Sequence, residues 1–180
     1  ALAHEKTVID AALAAMGEAI GDRAREEITG LLDAPDVEVR LKTLDLVGAM
    51  NVVAAGPVLV RRIQSDAFHD LSVDERRKWL TTVTALKAAR GESLAIELLS
   101  KRRLLSNDAT EQSRALAAEH LATAESAEAL EALQVAVKQR WGTSNQVREA
   151  AQRAIEIIEE RQAVRPRKPS EVRHASEGKA

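Results

Sequence analysis

Between residues 36 and 50 the apolar positions Val37, Leu41, Leu44, Val47 and Met50 recur every three to four residues, which predicts a helix with one buried stripe. The same step returns along the chain. It marks a second helix near 54–64, with Pro57 in its first turn and Val58, Leu59 and Ile63 on its stripe. From Ser72 it takes in Trp79, Leu80, Val83 and Leu86, and beyond Gly91 it takes in Leu94, Ala95, Leu98 and Leu99. Ala115, Ala118, Leu121 and Ala122 follow Asp108, and Leu130, Leu133, Ala136 and Val137 follow Ser126. A last helix is expected from about Ser144 to Glu160. Upstream, Val8, Ala12 and Met16 form a stripe flanked by Ile9, Leu13 and Ile20, and Ala24, Ile28, Leu31 and Leu32 continue it after Gly21-Asp22.

The boundaries carry their own chemistry. Asp22, Asp36, Ser126 and the pair Asp108/Glu111 open helices as caps, and Ser72 with Glu75 reads as an S-x-x-E capping box. Gly91 is expected to turn one helix into the next and Gly142 to end another, with the Trp141 ring covering the last turn. In the stretch SDAFHDL, Phe68 and Leu71 are expected to plug a gap between helices.

The pattern is also self-similar. DVEVRLKTLDL from Asp36, SVDERRKWLTTV from Ser72, ATEQSRALAAEHL from Ala109 and NQVREAAQRAI from Asn145 each open on polar residues, place an Arg near the fifth position and continue at helical spacing. Those arginines are Arg40, Arg76, Arg114 and Arg148, separated by 36, 38 and 34 residues. A period of this size with two helices per unit predicts an all-α fold, an α-solenoid in which each pair hides its apolar stripe against the next.

The repeated phrase resembles the first helix of the HEAT-repeat family in its short bacterial form, D-x-x-V-R-x-x-A/L-x-x-x-L/I. DVEVRLKTLDL and NQVREAAQRAIEII match it well, and SVDERRKWLTTV and EQSRALAAEHLA match it loosely. GPVLVRRI, SLAIELLSKRR and AEALEALQVAVKQR are similar to the second helices. The resemblance spans roughly 34–160, with 4–33 as a degenerate first unit, although the period is shorter than the family's usual 40 or more residues. It implies about four helix pairs plus a C-terminal helix, with the second helices lining a concave face.

Composition agrees with helices. Alanine accounts for 33 of the 180 residues, and Phe68, Trp79 and Trp141 are the aromatics. With no cysteine, disulfides and thiolate metal sites are excluded, which fits a reducing, cytoplasmic setting. No apolar run approaches a membrane span. The net charge of −2 is unevenly placed: residues 161–180 carry six cationic against two acidic residues, so 1–160 hold the acidic excess.

Catalytic signatures are sparse. His4-Glu5 begins H-E-x-x-H, but Val8 stands where the second His is needed, and His120 is expected to be solvated or half-buried. There is no G-x-S-x-G and no phosphate-binding glycine loop. Some HEAT-like proteins are DNA glycosylases or bilin lyases, a resemblance that would require Trp79 or Trp141 exposed beside a carboxylate; Trp79 shares a face with Val83 and Leu86 and is expected in the core.

One domain is expected, a solenoid over 1–160, followed by a basic, Pro-containing tail over 161–180, disordered or extended. The second helices end in basic clusters, which offset helix dipoles and, stacked, would form a strip of Arg61, Arg62, Lys101, Arg102, Gln134 and Lys138. Glu97–Lys101 and Gln134–Lys138 are i, i+4 pairs on that face. The function expected is that of a non-catalytic scaffold, without cofactor or metal, that docks another protein with an acidic surface. Arg165, Arg167 and Lys168 would add tail contacts. The alternative is a nucleic-acid binder using the tail and helix ends. A start at Ala1 rather than Met fits a segment of a longer chain.

Overall fold

Residues 22–101, 107–139 and 141–164 are described by a computed structural model, and within them all regular structure is helical. The helices are α1 (Asp22–Leu31), α2 (Val37–Ala49), α3 (Gly56–Gln64), α4 (Val73–Leu86), α5 (Ala88–Ser100), α6 (Asp108–Leu121), α7 (Ala127–Lys138) and α8 (Asn145–Val164). Short 3₁₀ turns at Val53–Ala55 and Asp66–Phe68 lead into and out of α3. The stripe predicted at Val8–Ile20 lies outside the described residues.

Several caps form as expected. Asp36 accepts from Glu38 N and Val39 N, Ser72 Oγ from Glu75 N, and Ser126 Oγ from Ala129 N. Pro57 sits in the first turn of α3. Other boundaries differ. The cap of α6 is Asn107, accepting from Thr110 N, while Glu111 turns inward. Gly91 lies inside α5, and the turn between α4 and α5 falls at Lys87. The requirement for glycine there is tertiary: a Cβ at 91 would collide with Thr84 Oγ1 and stand 2.6 Å from Thr84 Cα. The final helix runs on through Val164, and Arg161 Nη2 donates to the carbonyl of Ala122 at 2.8 Å.

Packing follows chain order. Each pair of helices in substantial contact is either consecutive or next-but-one. The first helices α2, α4, α6 and α8 touch in succession, and so do the second helices α3, α5 and α7. Trp79, Phe68, Leu44, Leu59, Leu80 and Leu94 fill the core of the early units. The buried residues of α6 and α8 include Ala115, Ala117, Ala118, Ala150, Ala151 and Ala154, small side chains that let packed helix backbones approach closely. Phe68 and Leu71 are buried as anticipated, and so is Trp79, whose Nε1 has no hydrogen-bond acceptor.

The stripe of α2 is rotated from the expected one. Val37 is 45% exposed, whereas Arg40 is buried beside Thr43, Leu44 and Val47. An arginine can occupy such a position only when its charge and donors are answered. Arg40 Nε and Nη2 donate to the two carboxylate oxygens of Glu75 at the start of α4, at 2.6 and 3.0 Å, and Nη1 donates to the carbonyls of Ala34 and Pro35. Glu75 therefore serves Arg40 with the carboxylate that a capping box would have turned to its own helix.

The next two copies also send a buried arginine toward the following unit, but Arg76 meets no carboxylate among the described residues and its buried Nε has no acceptor. Arg76 reaches α6, donating to Ala109 O at 2.8 Å, Gln112 Oε1 at 2.7 Å and Ser113 Oγ at 2.5 Å. Arg114 donates to Gly142 O at 2.8 Å and Thr143 Oγ1 at 3.3 Å, ahead of α8, as well as to Glu111 Oε1 and Leu99 O. Glu111 Oε2 accepts from Ser144 N at 2.9 Å, tying the same turn from the other side. Arg148, in the last copy, is half-buried and bonds Asn145 of its own helix.

Candidate functional site

The basic residues predicted to form a strip are divided by the fold. Arg61 on α3 and Gln134 and Lys138 on α7 are exposed. Arg62 is half-buried and turns toward Asp33 in the α1–α2 loop, 3.9 Å away, with its Nε buried and without an acceptor. Lys101, at the end of α5, is half-buried, and its Nζ donates to the carbonyl of Gln64 on α3 at 3.5 Å. Gln64 Nε2 in turn donates to both carboxylate oxygens of Glu97, at 3.1 and 3.0 Å. Glu97 is thus engaged across helices by Gln64, the same residue whose carbonyl receives Lys101. Arg102, Arg165, Arg167 and Lys168 lie outside the described residues.

Trp141 departs from its expected place. It is 88% exposed and covers no helix end, because α7 stops at Lys138 and the ring falls on the following turn. Gly142 in that turn has φ +72°, a left-handed conformation suited to glycine. The turn is held from beneath by buried Arg114 and Glu111 through Gly142 O, Thr143 Oγ1 and Ser144 N. A large aromatic ring is therefore presented to solvent from fixed backbone, in the turn that follows the exposed cation Lys138.

A cavity of about 300 Å³ opens where α4, α5, α6 and the α6–α7 turn meet. Thr84, Ala88, Glu92, His120, Leu121, Thr123, Ala124 and Glu125 line it. His120 is half-buried, and its Nε2 lies 2.8 Å from Thr84 Oγ1. Burial lowers the His120 pKa below its ordinary value of 6.5, favouring the neutral ring. Among the described residues no group of three or more His, Asp or Glu is placed to hold a metal ion. No helix among them is long and apolar enough to cross a membrane.

Compared with protein-family models and with curated proteins, the chain matches none. Geometry alone therefore distinguishes the strip, the displayed ring and the cavity. No local sequence signal marks the cavity, because its lining comes from separate segments of the chain. The burial of Arg40, Arg76 and Arg114 does have a signal, their recurrence at one place in each unit.

Proposed function

We propose that the chain is a non-catalytic protein-interaction module, a right-handed α-solenoid of about four HEAT-like helix pairs closed by a C-terminal helix. Packing confined to consecutive and next-but-one helices supports the stacked architecture, as do Arg40, Arg76 and Arg114 bonding from one unit into the next. The observation that carries the docking role is the exposure of Arg61, Gln134 and Lys138 along the second-helix layer, with Trp141 displayed at its end. Tryptophan and arginine are enriched among the few residues that carry most of the binding energy at protein interfaces. The partner that fits is a protein whose acidic surface faces the cations and whose apolar pocket receives the indole. A cysteine-free chain of this kind suits the cytoplasm.

The test begins with affinity purification to identify a partner and proceeds to direct titration against it at low and high salt. The double reversal Lys101→Glu with Lys138→Glu is expected to weaken binding, and so is Lys138→Glu alone, which at an exposed site should move stability by no more than about 0.5 kcal/mol. Unchanged affinity in the reversal variant discards the strip.

A further inference from the structure

The cavity beside His120 is not used by the docking reading, and the hydrogen bonds around it specify a ligand. The Thr84 hydroxyl donates to the Leu80 carbonyl at 2.8 Å, and the Thr123 hydroxyl donates to the His120 carbonyl at 2.9 Å. A hydroxyl has one hydrogen, so both present only lone pairs to anything further. Thr84 Oγ1 must then accept from His120 Nε2, which carries the ring proton and leaves Nδ1 of the neutral ring as an acceptor. Glu92 Oε1 accepts from the Ser126 hydroxyl, which fixes that carboxylate at the N-terminus of α7. None of the eight lining residues is cationic. Thr84, Thr123, His120 and Glu92 therefore offer acceptors and negative charge, beside the apolar surfaces of Ala88, Leu121 and Ala124.

We propose that this cavity binds an organic cation on a short alkyl stem, a guanidinium or primary ammonium group, with its charge against Glu92 and its stem along Ala88, Leu121 and Ala124. Such a ligand supplies the hydrogens that Thr84, Thr123 and His120 Nδ1 do not, and an anion would meet the Glu92 carboxylate. A metal ion lacks a ligand set, since no cluster of three suitable side chains is assembled among the described residues. Gly91 maintains the site indirectly: any side chain there would strike Thr84, which orients His120. The same cation could arrive as a free small molecule or as the arginine or lysine side chain of a peptide.

The experiment is a titration of the full chain with agmatine, followed by the imidazole carbon–proton resonances of His120, assigned with His120→Gln. A saturable shift is expected with agmatine and none with n-butylurea, which has a similar shape without the charge. Glu92→Gln keeps an acceptor for Ser126 but removes the charge, and is expected to weaken agmatine roughly tenfold or more, the loss of about one charge-assisted hydrogen bond. Ala124→Phe, which fills the cavity, is expected to abolish the shift and serves if Glu92→Gln does not fold. A capped peptide with one central arginine separates the sources: binding at least as tight as agmatine's assigns the site to a side chain, and weaker or no binding assigns it to a free cation. No saturable shift with either probe overturns the proposal, as does an equal response to n-butylurea or unchanged affinity in folded Glu92→Gln. The Lys101/Lys138 reversal variant should bind agmatine normally, so failure of the docking strip and failure of this cavity are read separately.

Discussion

Arg40 and Glu75 form a bidentate pair across 35 residues of chain, with side chains only 9% and 1% exposed. The pair links the first helices of successive units and is satisfied on both sides, because the remaining guanidinium nitrogen donates to the carbonyls of Ala34 and Pro35. Removing one partner should be worse than removing both. Glu75→Ala is expected to cost about 3–5 kcal/mol in urea unfolding, since it leaves a buried cation without its counterion. Arg40→Met combined with Glu75→Leu should recover much of that loss. A double variant as unstable as the sum of the two single variants would show that the pair acts through something other than mutual neutralisation.

The approach of α5 to α4 at Gly91 is equally specific. Gly91→Ala places a methyl group against both the side chain and the backbone of Thr84 and is expected to destabilise by about 1–3 kcal/mol, the usual cost of overpacking. Thr84→Ala added to it should relieve only part of the loss, because the clash with the Thr84 backbone persists. Thermal unfolding of the three variants checks this, and complete rescue would place the conflict at the hydroxyl alone.

The two tryptophans make a convenient optical pair. Trp141 is 88% exposed and Trp79 is fully buried. Acrylamide should quench only one component of the native emission, and Trp141→Phe should leave a blue-shifted, quencher-resistant signal. Equal accessibility of both components would contradict the placement of the turn at Gly142.

Acid should destabilise the fold in two ranges. The His120 pKa is lowered by burial, so below about 6.5 the unfolded chain takes up a proton that the folded chain resists, and stability falls until the native ring titrates. For Glu111, burial pushes the carboxyl up, but hydrogen bonds from Ser144 and Arg114 and the Arg114 charge outweigh it, and the net shift is downward from 4.5. Its contribution is complete above the unfolded value and is lost as pH falls through the folded one. Unfolding free energy measured against pH should show both declines, with His120→Gln flattening the upper and Glu111→Gln the lower.

How much of this is legible in sequence depends on distance along the chain. Caps such as Asp36, Ser72 and Ser126 act on backbone two or three residues away, and they can be read directly. Apolar periodicity places Val37 inside and leaves Arg40 out, because it cannot register an arginine whose counterion stands in the next unit. Gly91 has the look of a turn, but its reason for being glycine is the crossing of two helices, which has no local mark. Trp141 stands just before a helix-ending glycine and so invites packing, whereas α7 already ends at Lys138. Individual members of the basic strip can be placed on helices, but the Gln64–Glu97 bond joins residues on different ones.

Packing restricted to near neighbours has a consequence for how the molecule comes apart. Among the described residues, helices distant along the chain share no substantial contact, so loss of α7 and α8 would leave the Arg40–Glu75 junction physically untouched. Contacts between segments near in sequence favour rapid folding, and the stacked arrangement proposed above would permit unravelling from an end, one hairpin at a time. Under tension such a chain would lengthen in steps, retaining an ordered remnant capable of winding the rest back.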